Sequence, residues 1–499
     1  MGRSLVVHGH FFQPPRENPW TGVVDEEPSA TPFHDWNERL HRECYRATAM
    51  VSLPEPSGST ARIFNAYSRM SFDFGPSLLR WLEREHPATY HLIIEADRTA
   101  VRKRGHGNAL AQPWAHAILP LASERDRKTL VRWGLADFRA RFGRAPEAMW
   151  LPETACDRAT ADLLVEEGLR YVLLASRQAS RVRPLAGGEW TDANDLDVTR
   201  PYRHLHRGGR GSLEVFFFDA TLAGALRASP ATARAAPLAK RAAADAVGDD
   251  AFAQIVSVGE VWGHHAKDAT RELAALLQVE ASAAGLATRN YGELCERVSP
   301  SHEVELAEGP DGLGTSWSCT HGLARFVRHC GCDETSEAPS QAWRAPLRRA
   351  IDVVGDAAAA ALDGPGRELL HDPWAARDAW GETLFMGGRT PADVVAEHAL
   401  SSLRDADRGR AGAMLALHEH ALAMQTSSGW TCPDISGLDA VIVMRQAARA
   451  LDALEALTLP APREAFVDAL ATARSNSAEL GSGADVFRAL ALSARPRTP

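Results

Sequence analysis

Two acidic residues, Glu153 and Asp219, each follow directly on a short apolar run of the chain. Glu153 comes after Trp150-Leu151-Pro152, where the proline removes a backbone donor and restricts the residue before it, so a strand must stop there. Asp219 comes after the strongly β-prone segment 213–218. A pair of carboxyl groups that face each other is what cleavage of a glycosidic bond requires. An isolated Trp-x-Pro-Glu motif is also found where a glutamate simply lies in a loop. The hypothesis of glycosidic bond cleavage therefore depends on the presence of the second acid, Asp219.

The two acids can be given different roles. Asp219 follows three phenylalanines, and apolar surroundings favour the protonated form of a carboxyl group. We therefore expect Asp219 to be the acid/base and Glu153 to be the nucleophile. Carboxyl groups about 5–5.5 Å apart imply a retaining mechanism, but this distance depends on the topology of the fold.

A His-x-His pair, His8 and His10, ends the first apolar run. Residues two apart on a strand share a face, so both imidazoles point the same way. The pair suits either a metal ion or hydrogen bonds to a polyhydroxylated ligand, and two ordinary histidines are an equal alternative. A metal site needs an Asp or a third His, which only folding could supply, for example from His106, His264 or His265.

These residues need a scaffold that gathers the ends of strands at one place. Short buried strands alternate with loops and helices about seven times over roughly 290 residues, which indicates a parallel sheet with helices outside it. The polar residues that follow the predicted strands are His8, His10, Asn65, Glu153, Asp219 and Glu260. Residues from so many strands converge only if the sheet closes on itself. We therefore predict an α/β fold with a barrel rather than an open doubly wound sheet.

The second half of the chain has a different character. We predict a barrel over residues 1–300, an irregular connector over 301–340 that brings Trp317 and His321 to the site, and an all-α domain over 341–499. The polar segment 425–430 interrupts these helices and ends in Trp430. This tryptophan could present an aromatic face to a sugar, or it could pack inside a helix-joining turn.

Seven cysteines are too few, and odd in number, to indicate a disulfide framework. Cys319, His321, Cys330 and Cys332 lie within a short span, and zinc accepts such a ligand set. The Cys-x-Cys spacing is tighter than is usual for zinc, so we expect buried thiols, with a structural zinc as the alternative. We expect no cofactor.

The composition excludes several classes of protein. A chain of 499 residues, 45% hydrophobic and 24% charged, is globular and too long for one core. The net charge is −9 and there is no basic run, so nucleic acid is not an expected partner. No apolar run approaches the roughly 18 residues of a membrane span, and the N-terminus lacks the apolar core of a signal peptide. We therefore expect a cytoplasmic protein without a membrane partner; the sequence does not indicate an oligomeric state.

Four motifs together resemble glycoside hydrolase family 57. They are His8-Gly9-His10-Phe11-Phe12-Gln13-Pro14, Trp150-Leu151-Pro152-Glu153, the strand ending at Asp219, and Gly259-Glu260-Val261-Trp262-Gly263-His264-His265. The segments 316–322 and 341–348 are similar to the subgroup of that family that carries a DUF3536 domain. The resemblance implies an incomplete (β/α)7-type barrel, of the kind found in glycoside hydrolase families 57 and 38, followed by an all-α domain.

The resemblance also implies a function and a set of site residues. It implies retaining action on α-1,4- and α-1,6-linked glucans, as in α-amylases, branching enzymes and 4-α-glucanotransferases, with Glu153 as nucleophile and Asp219 as acid/base. It implies sugar subsites lined by His8, His10, Trp150 and Glu260. We add as predicted substrate contacts Gln13, Asn65, His264, His265, Trp317, His321 and Trp430. An oligo- or polysaccharide is the expected partner.

Three features depart from the family pattern. Two phenylalanines precede Gln13, as they do in the subgroup; Val258 stands where an acid is common; and Asp219 is followed by Ala-Thr-Leu-Ala-Gly-Ala-Leu. These departures concern the subsites and keep both carboxyl groups. Two other functions stay open: a metal-dependent sugar hydrolase or deacetylase that uses His8 and His10, and a non-catalytic glucan-binding protein on the same scaffold.

Overall fold

A ring of parallel strands forms the N-terminal part of the protein. The computed structural model describes residues 2–53, 62–219, 222, 234–332 and 339–496. Its strands are β1 (Ser4–Phe11), β2 (Val51–Leu53), β3 (Arg62–Phe64), β4 (Ser71–Phe74), β5 (Ala109–Leu110), β6 (Tyr171–Ala175), β7 (Ala179–Pro184), β8 (Thr191–Asp192), β9 (Tyr202–Leu205), β10 (Ser212–Phe218), β11 (Phe252–Val258), β12 (Ala287–Thr288) and β13 (His302–Leu306).

The order of pairing around the ring is β11-β1-β4-β5 on one side and β6-β10 on the other. Two single parallel bridges, between Ala111 and Met149 and between Ala148 and Tyr171, join the two sides. With the segment 148–149 counted as a strand, seven parallel segments follow one another in the order that a (β/α)7-type barrel requires. The predicted α/β fold with a helical C-terminal region is confirmed.

The barrel has one seam, between β10 and β11. No backbone ladder joins these two strands in the part of the chain that the structure describes. The buried amide of Gln254 on β11 closes the gap, because its Nε2 donates to the carbonyl of Phe217 on β10 at 2.8 Å. The hydroxyl of Tyr291 donates to Gln254 Oε1 at 3.0 Å and thereby fixes the amide.

Side chains that alternate along the strands fill the interior. In β1, Val6 lies inside the barrel, whereas Leu5 and Val7 pack outward against the helices. The rest of the inner core is apolar and rich in aromatic residues: Leu110, Ala148, Trp150, Tyr171, Leu173, Phe216, Phe218, Phe252, Val256, Tyr291 and Leu294. The barrel is therefore a packed core, and only its upper end can hold a ligand.

Helices cover the outside of the barrel. They are Trp36–Leu40, Arg46–Ala49, Pro76–Glu85, Pro87–Arg104, Glu124–Phe142, Arg158–Glu166, Ala235–Asp245, Ala269–Ala275 and Ala281–Ala283. The helix Tyr291–Arg297 differs, because its Tyr291 and Leu294 belong to the inner core. Ser123 and Gly143, residue types that typically begin and end helices, bound the helix 124–142: Ser123 Oγ accepts from the Asp126 amide at 3.1 Å, and Gly143 stops the helix at φ +69°. No helix among the described residues is long and apolar enough to cross a membrane.

Two predicted elements differ from the structure. The segment 63–65 is not a barrel strand, because β3 pairs with β2 in an antiparallel hairpin outside the ring. Its place is taken by β4, whose four residues are too short to show a clear period. The segment 178–211 is rich in Arg, Gly and Asp, a composition that predicts a long loop or small excursion, but it contains β7, β8 and β9, which form a small sheet with β13 beside β10.

The C-terminal helices are Arg344–Asp363, Pro373–Trp380, Pro391–His398, Asp405–Ala423, Leu438–Ala456, Arg463–Ala471 and Gly483–Val486. Of these, Pro373–Trp380 packs on helix 124–142. Trp133 Nε1 donates to the carbonyl of Arg377 at 2.9 Å, and the buried Arg377 guanidinium pairs with Asp126 at 2.6 Å. An antiparallel bridge between Ala117 and Thr426 carries the segment 425–430 to the upper end of the barrel.

Candidate active site

Glu153 lies in a strained turn at the upper end of the barrel. It has φ +57°, and the β-branched Thr154 has φ +50°, a region that such residues rarely adopt. Each such conformation costs about 1–3 kcal/mol, and the cost is tolerated where the surroundings over-determine the backbone. The turn projects Glu153 away from the chain direction of the preceding segment.

The amide side chain of Gln178 holds this turn in place. Gln178 is buried; its Nε2 donates to the carbonyl of Thr154 at 2.8 Å, and its Oε1 accepts from Thr154 Oγ1 at 2.8 Å. The same Oε1 accepts from the Ala175 amide at the end of β6, at 2.9 Å. The strained turn is therefore tied to the neighbouring barrel strand.

Trp317 orients the Glu153 carboxylate. The indole Nε1 donates to Glu153 Oε2 at 3.1 Å, and the backbone amide of Trp317 donates to the Glu153 carbonyl at 3.0 Å. The indole meets the Trp150 ring edge-on at a centroid distance of 5.2 Å. The connector thus contributes to the site, and one carboxylate oxygen of Glu153 has a fixed donor.

Asp219 lines the same cavity as Glu153. It follows the last residue of β10, and the cavity, about 400 Å³ in volume, also has Arg177, Phe218 and Trp317 in its wall. The two predicted catalytic acids therefore meet at one cleft. The predicted departure after Asp219 lies mostly outside the described residues, since only Leu222 of it is described.

A second lobe of the cleft, about 340 Å³ in volume, extends from Glu153 in another direction. Glu153, Val258 and Trp317 line both lobes. The second lobe contains many of the predicted substrate contacts, and its further wall includes His10, Phe12, Gln13, Trp36, His116, Glu260, His264, His265, Ser427 and Ser428. Glu153 therefore stands at the junction of two chambers.

Glu260 lies in the wall of this second lobe, in the turn after β11. Burial raises the pKa of Glu260, although the Tyr45 hydroxyl donates to Oε1 at 3.2 Å. It is therefore a second acid near Glu153 that is disposed to hold a proton.

Asp73 forms the floor of the site with the two histidines of β1. Its Oδ1 contacts His8 Nε2 at 2.9 Å, and its Oδ2 contacts His10 Nδ1 at 2.8 Å. Gln112 Nε2 also donates to Oδ2. The His8 and His10 rings both stack on Trp150, at centroid distances of 5.0 and 4.9 Å.

The surroundings of this floor favour the charged forms of His10 and Asp73. Burial disfavours the imidazolium of His10, but Asp73 and two more distant carboxylates outweigh burial and raise the pKa of His10. Burial also opposes the Asp73 carboxylate, but the histidines outweigh it and lower the pKa of Asp73. At His8 and His116 burial dominates and lowers the pKa of each. The surroundings therefore favour the protonated form more at His10 than at His8 or His116.

Replacing Asp73 by asparagine should destabilise the protein by about 3 kcal/mol near pH 6, because removal of one partner of a buried ion pair leaves the other charge uncompensated. The folded pKa of Asp73 is lowered and that of His10 is raised. The contribution of the Asp73–His10 pair to the free energy of unfolding is therefore complete between about pH 4 and pH 6.5. It is lost as the pH falls through the folded pKa of Asp73 or rises through that of His10. Urea unfolding at several pH values measures it.

A matched control for this prediction is Asp250→Asn. Asp250 pairs with Arg297 at 3.3 Å at the surface, and such pairs contribute about 0–1 kcal/mol. Equal stability of Asp73→Asn and the wild type near pH 6 would show that the buried pair is not formed.

Several predicted contacts do not lie in the cleft. His8 and Trp150 are fully buried and support the floor from below. Asn65 caps a turn, where its Oδ1 accepts from the Tyr67 amide and its Nδ2 donates to the Leu92 carbonyl. His321 lies at the surface beside Cys332.

Trp430 also lies outside the cleft, so the prediction that it faces a sugar is wrong. It is 0% exposed, its Nε1 donates to the Arg344 carbonyl at 3.2 Å, and the Arg348 guanidinium covers the ring at 4.0 Å. The alternative, a packed tryptophan in a turn, is what the structure contains. The segment 425–430 still reaches the cleft, but through Ser427 and Ser428.

The sequence alone did not reveal Asp73, His116 or Gln178. The available signal for Asp73 is an acid between two buried phenylalanines, Phe72 and Phe74, in a short strand. His116 contacts Ser427 Oγ at 2.7 Å and stacks on His10, contacts that join residues distant in the chain.

The metal hypothesis for His8 and His10 requires an Asp or a third His beside them; Asp73 contacts both, and His116 Nε2 lies 3.2 Å from His10 Nε2. However, Asp73 bonds one nitrogen of each histidine directly. Two groups of His, Cys, Asp and Glu in the described part of the chain have ligand atoms within 4.8 Å of one another, and neither contains His8 or His10. The geometry of His8, His10 and Asp73 is therefore that of a hydrogen-bonded network rather than that of a set of metal ligands.

Comparison with known families gives two matches. A model described as glycosyl hydrolase family 57 matches residues 10–306, and a domain of unknown function, DUF3536, matches residues 340–498. An alpha-amylase from Dictyoglomus thermophilum is 25% identical over 101 residues. That similarity spans 20% of this chain and 14% of the length of the amylase.

Solved structures resemble the whole chain. An exo-type maltose-forming amylase from Pyrococcus sp. ST04 has a TM-score of 0.72 at 13% identity, covering 97% of this chain and 91% of that one. A family 57 branching enzyme from Thermococcus kodakaraensis has a TM-score of 0.56 at 14% identity, covering 95% and 92%. At these identities the similarity establishes the fold.

Proposed function

The chain belongs to glycosyl hydrolase family 57, and on that premise we propose that it is a retaining enzyme that hydrolyses or transfers α-glucans. The observation that carries the proposal is the shared cleft: Glu153 and Asp219 come from neighbouring parts of the upper barrel rim and line one cavity. Relatives of the same fold that are described as amylases and a branching enzyme support an α-glucan as substrate.

In this proposal Glu153 attacks the anomeric carbon. Trp317 donates to Glu153 Oε2, so we assign Oε1 as the attacking atom. Asp219 gives its proton to the glycosidic oxygen as the bond to the leaving sugar breaks, and a glycosyl ester forms on Glu153. Asp219 then takes a proton from an incoming hydroxyl group, which displaces Glu153 from the sugar. Two displacements at the same carbon retain its configuration.

The two lobes suit sugar units on both sides of the bond that breaks. Glu153 stands between them, and aromatic rings lie in both walls: Phe218 in the first, Trp36 in the second and Trp317 in both. Gln13, His264 and His265 add polar groups to the second lobe. Apolar faces with a few polar groups are typical of carbohydrate sites and of ligand pockets in general. An oligo- or polysaccharide is the substrate that fills both lobes.

Product analysis of the purified protein tests this function. With maltooligosaccharides and amylose, we expect products whose size distribution separates hydrolysis, chain transfer and branching. Absence of products, with sugar binding still detectable, would overturn the enzymatic proposal in favour of a glucan-binding protein. A bound metal ion that is lost when His10 is replaced would favour metal-dependent chemistry at His8 and His10.

A further inference from the structure

Four potential metal ligands meet at one point in the connector. Cys319, His321, Cys330 and Cys332 each place one ligand atom within 4.8 Å of the others. The Sγ atoms of Cys319 and Cys332 are 3.3 Å apart, and His321 Nδ1 lies 3.2 Å from Cys332 Sγ. The tertiary structure therefore gathers the whole set that the sequence presents within a short span.

The backbone of this loop is shaped to bring the ligands together. Gly331 has φ +75°, which turns the chain between Cys330 and Cys332 so that both thiols face the same point. Between the two ligand pairs, Leu323 and Phe326 are buried in the core of the C-terminal helices. The loop is thus anchored by apolar contacts while its ligand ends stay together.

The distances fit a metal better than a disulfide. A disulfide needs sulfur atoms about 2.05 Å apart, well below the separation of Cys319 and Cys332. Tetrahedral zinc with Zn–S bonds of about 2.3 Å places its sulfur ligands about 3.8 Å apart. An increase of about half an ångström in the Cys319–Cys332 sulfur separation would therefore give the spacing of two zinc ligands.

The surroundings also suit a structural ion. The cluster supplies three sulfurs and one imidazole, a closed tetrahedral set with no position left for a substrate. Cys319 is buried, Cys330 is half-buried, and Cys332 is exposed, so the site lies at the surface. Arg177 is near enough to Cys319 and Cys332 to interact with both electrostatically, and it can offset the negative charge of three thiolates bound to one Zn²⁺.

We propose that Cys319, His321, Cys330 and Cys332 bind one zinc ion. The ion closes the loop 319–332 immediately after Trp317, whose indole and amide both bind Glu153. Arg325 Nη1 donates to the Ser318 carbonyl at 3.2 Å, which ties this loop to the segment that enters the cleft. Zinc is therefore a structural element that keeps Trp317 against Glu153. The importance of this contact for catalysis rests on the proposed function, whereas the existence of the zinc site does not depend on that function.

Metal content of the intact protein is the decisive measurement. After dialysis without chelator we expect one zinc per chain by elemental analysis. Cobalt substitution should give the strong visible bands of a tetrahedral site and a thiolate-to-cobalt charge-transfer band. Cys332→Ser and His321→Ala change exposed side chains, so both variants should fold and lose the ion and the bands. Cys432→Ser is the matched control, because this half-buried cysteine lies outside the cluster and its variant should retain both.

Three results would overturn the site. They are a zinc content well below one per chain in protein produced and dialysed with added zinc, full zinc retention in both ligand variants, and an intact mass showing that Cys319 and Cys332 have lost two hydrogens to a disulfide. These readouts do not depend on glucan turnover. If turnover exists, His321→Ala should lower kcat several-fold while leaving the His8–His10 floor unchanged, which separates this ion from a metal at that floor.

Discussion

Glu153→Ala will abolish cleavage of maltooligosaccharides, with a fall in kcat on the order of 10⁴-fold or more, as expected when a covalent nucleophile is removed. Loss of the side chain leaves a space beside the anomeric carbon that a small anion can enter. With an aryl α-maltooligoside and added azide, we therefore expect turnover to return. The product should be a glycosyl azide of inverted, β configuration, because only one displacement then takes place.

The configuration of this azide product makes the test specific for a nucleophile. Polarimetry or proton magnetic resonance distinguishes the two anomers. Glu189→Ala is a matched control, because Glu189 is an exposed glutamate between β7 and β8, outside the cleft, and its variant should keep wild-type rates. Near-normal turnover by Glu153→Ala, or an azide of retained configuration, would remove Glu153 from this role.

Asp219→Asn is expected to lower kcat on maltooligosaccharides by about 10²–10⁴-fold, the usual contribution of general acid–base catalysis. The loss should be much smaller for the formation of the glycosyl-enzyme from a substrate with a good leaving group, such as a glucosyl fluoride, because that group departs without a proton. Azide should again accelerate turnover, but the product should have the retained, α configuration, since azide then replaces water in the second displacement.

The variant Glu260→Gln tests whether Glu260, rather than Asp219, is the acid/base. Burial raises the pKa of Glu260, and this residue lies in the second lobe near Glu153, so it competes with Asp219 for the acid role. We expect Glu260→Gln to raise KM. The rate of this variant should depend on the leaving group no more strongly than the rate of the wild type does. If Glu260→Gln shows the strong leaving-group dependence and Asp219→Asn does not, the acid/base is Glu260.

The local features of the chain predict much of the barrel. The apolar runs 171–175 and 213–218 each have the length and composition of a buried strand, and they coincide with β6 and β10 to within a residue. The helix 124–142 begins and ends as its capping residues indicate. These elements depend on apolar period, capping and turn residues that lie close together in the chain. The strand β4 was missed because four residues with an acid among phenylalanines carry no such period.

The sequence by itself determined which residues follow the strands, and hence that Glu153 and Asp219 belong at one rim. Only the tertiary structure decided which polar groups support them: Asp73 beneath His10, Gln178 behind the strained turn, and Trp317 on the carboxylate. It also decided that Trp430 is buried while Ser427 reaches the cleft. The physical reason is that order along the chain sets local conformation, whereas these contacts depend on strand pairing and packing between segments far apart in the chain.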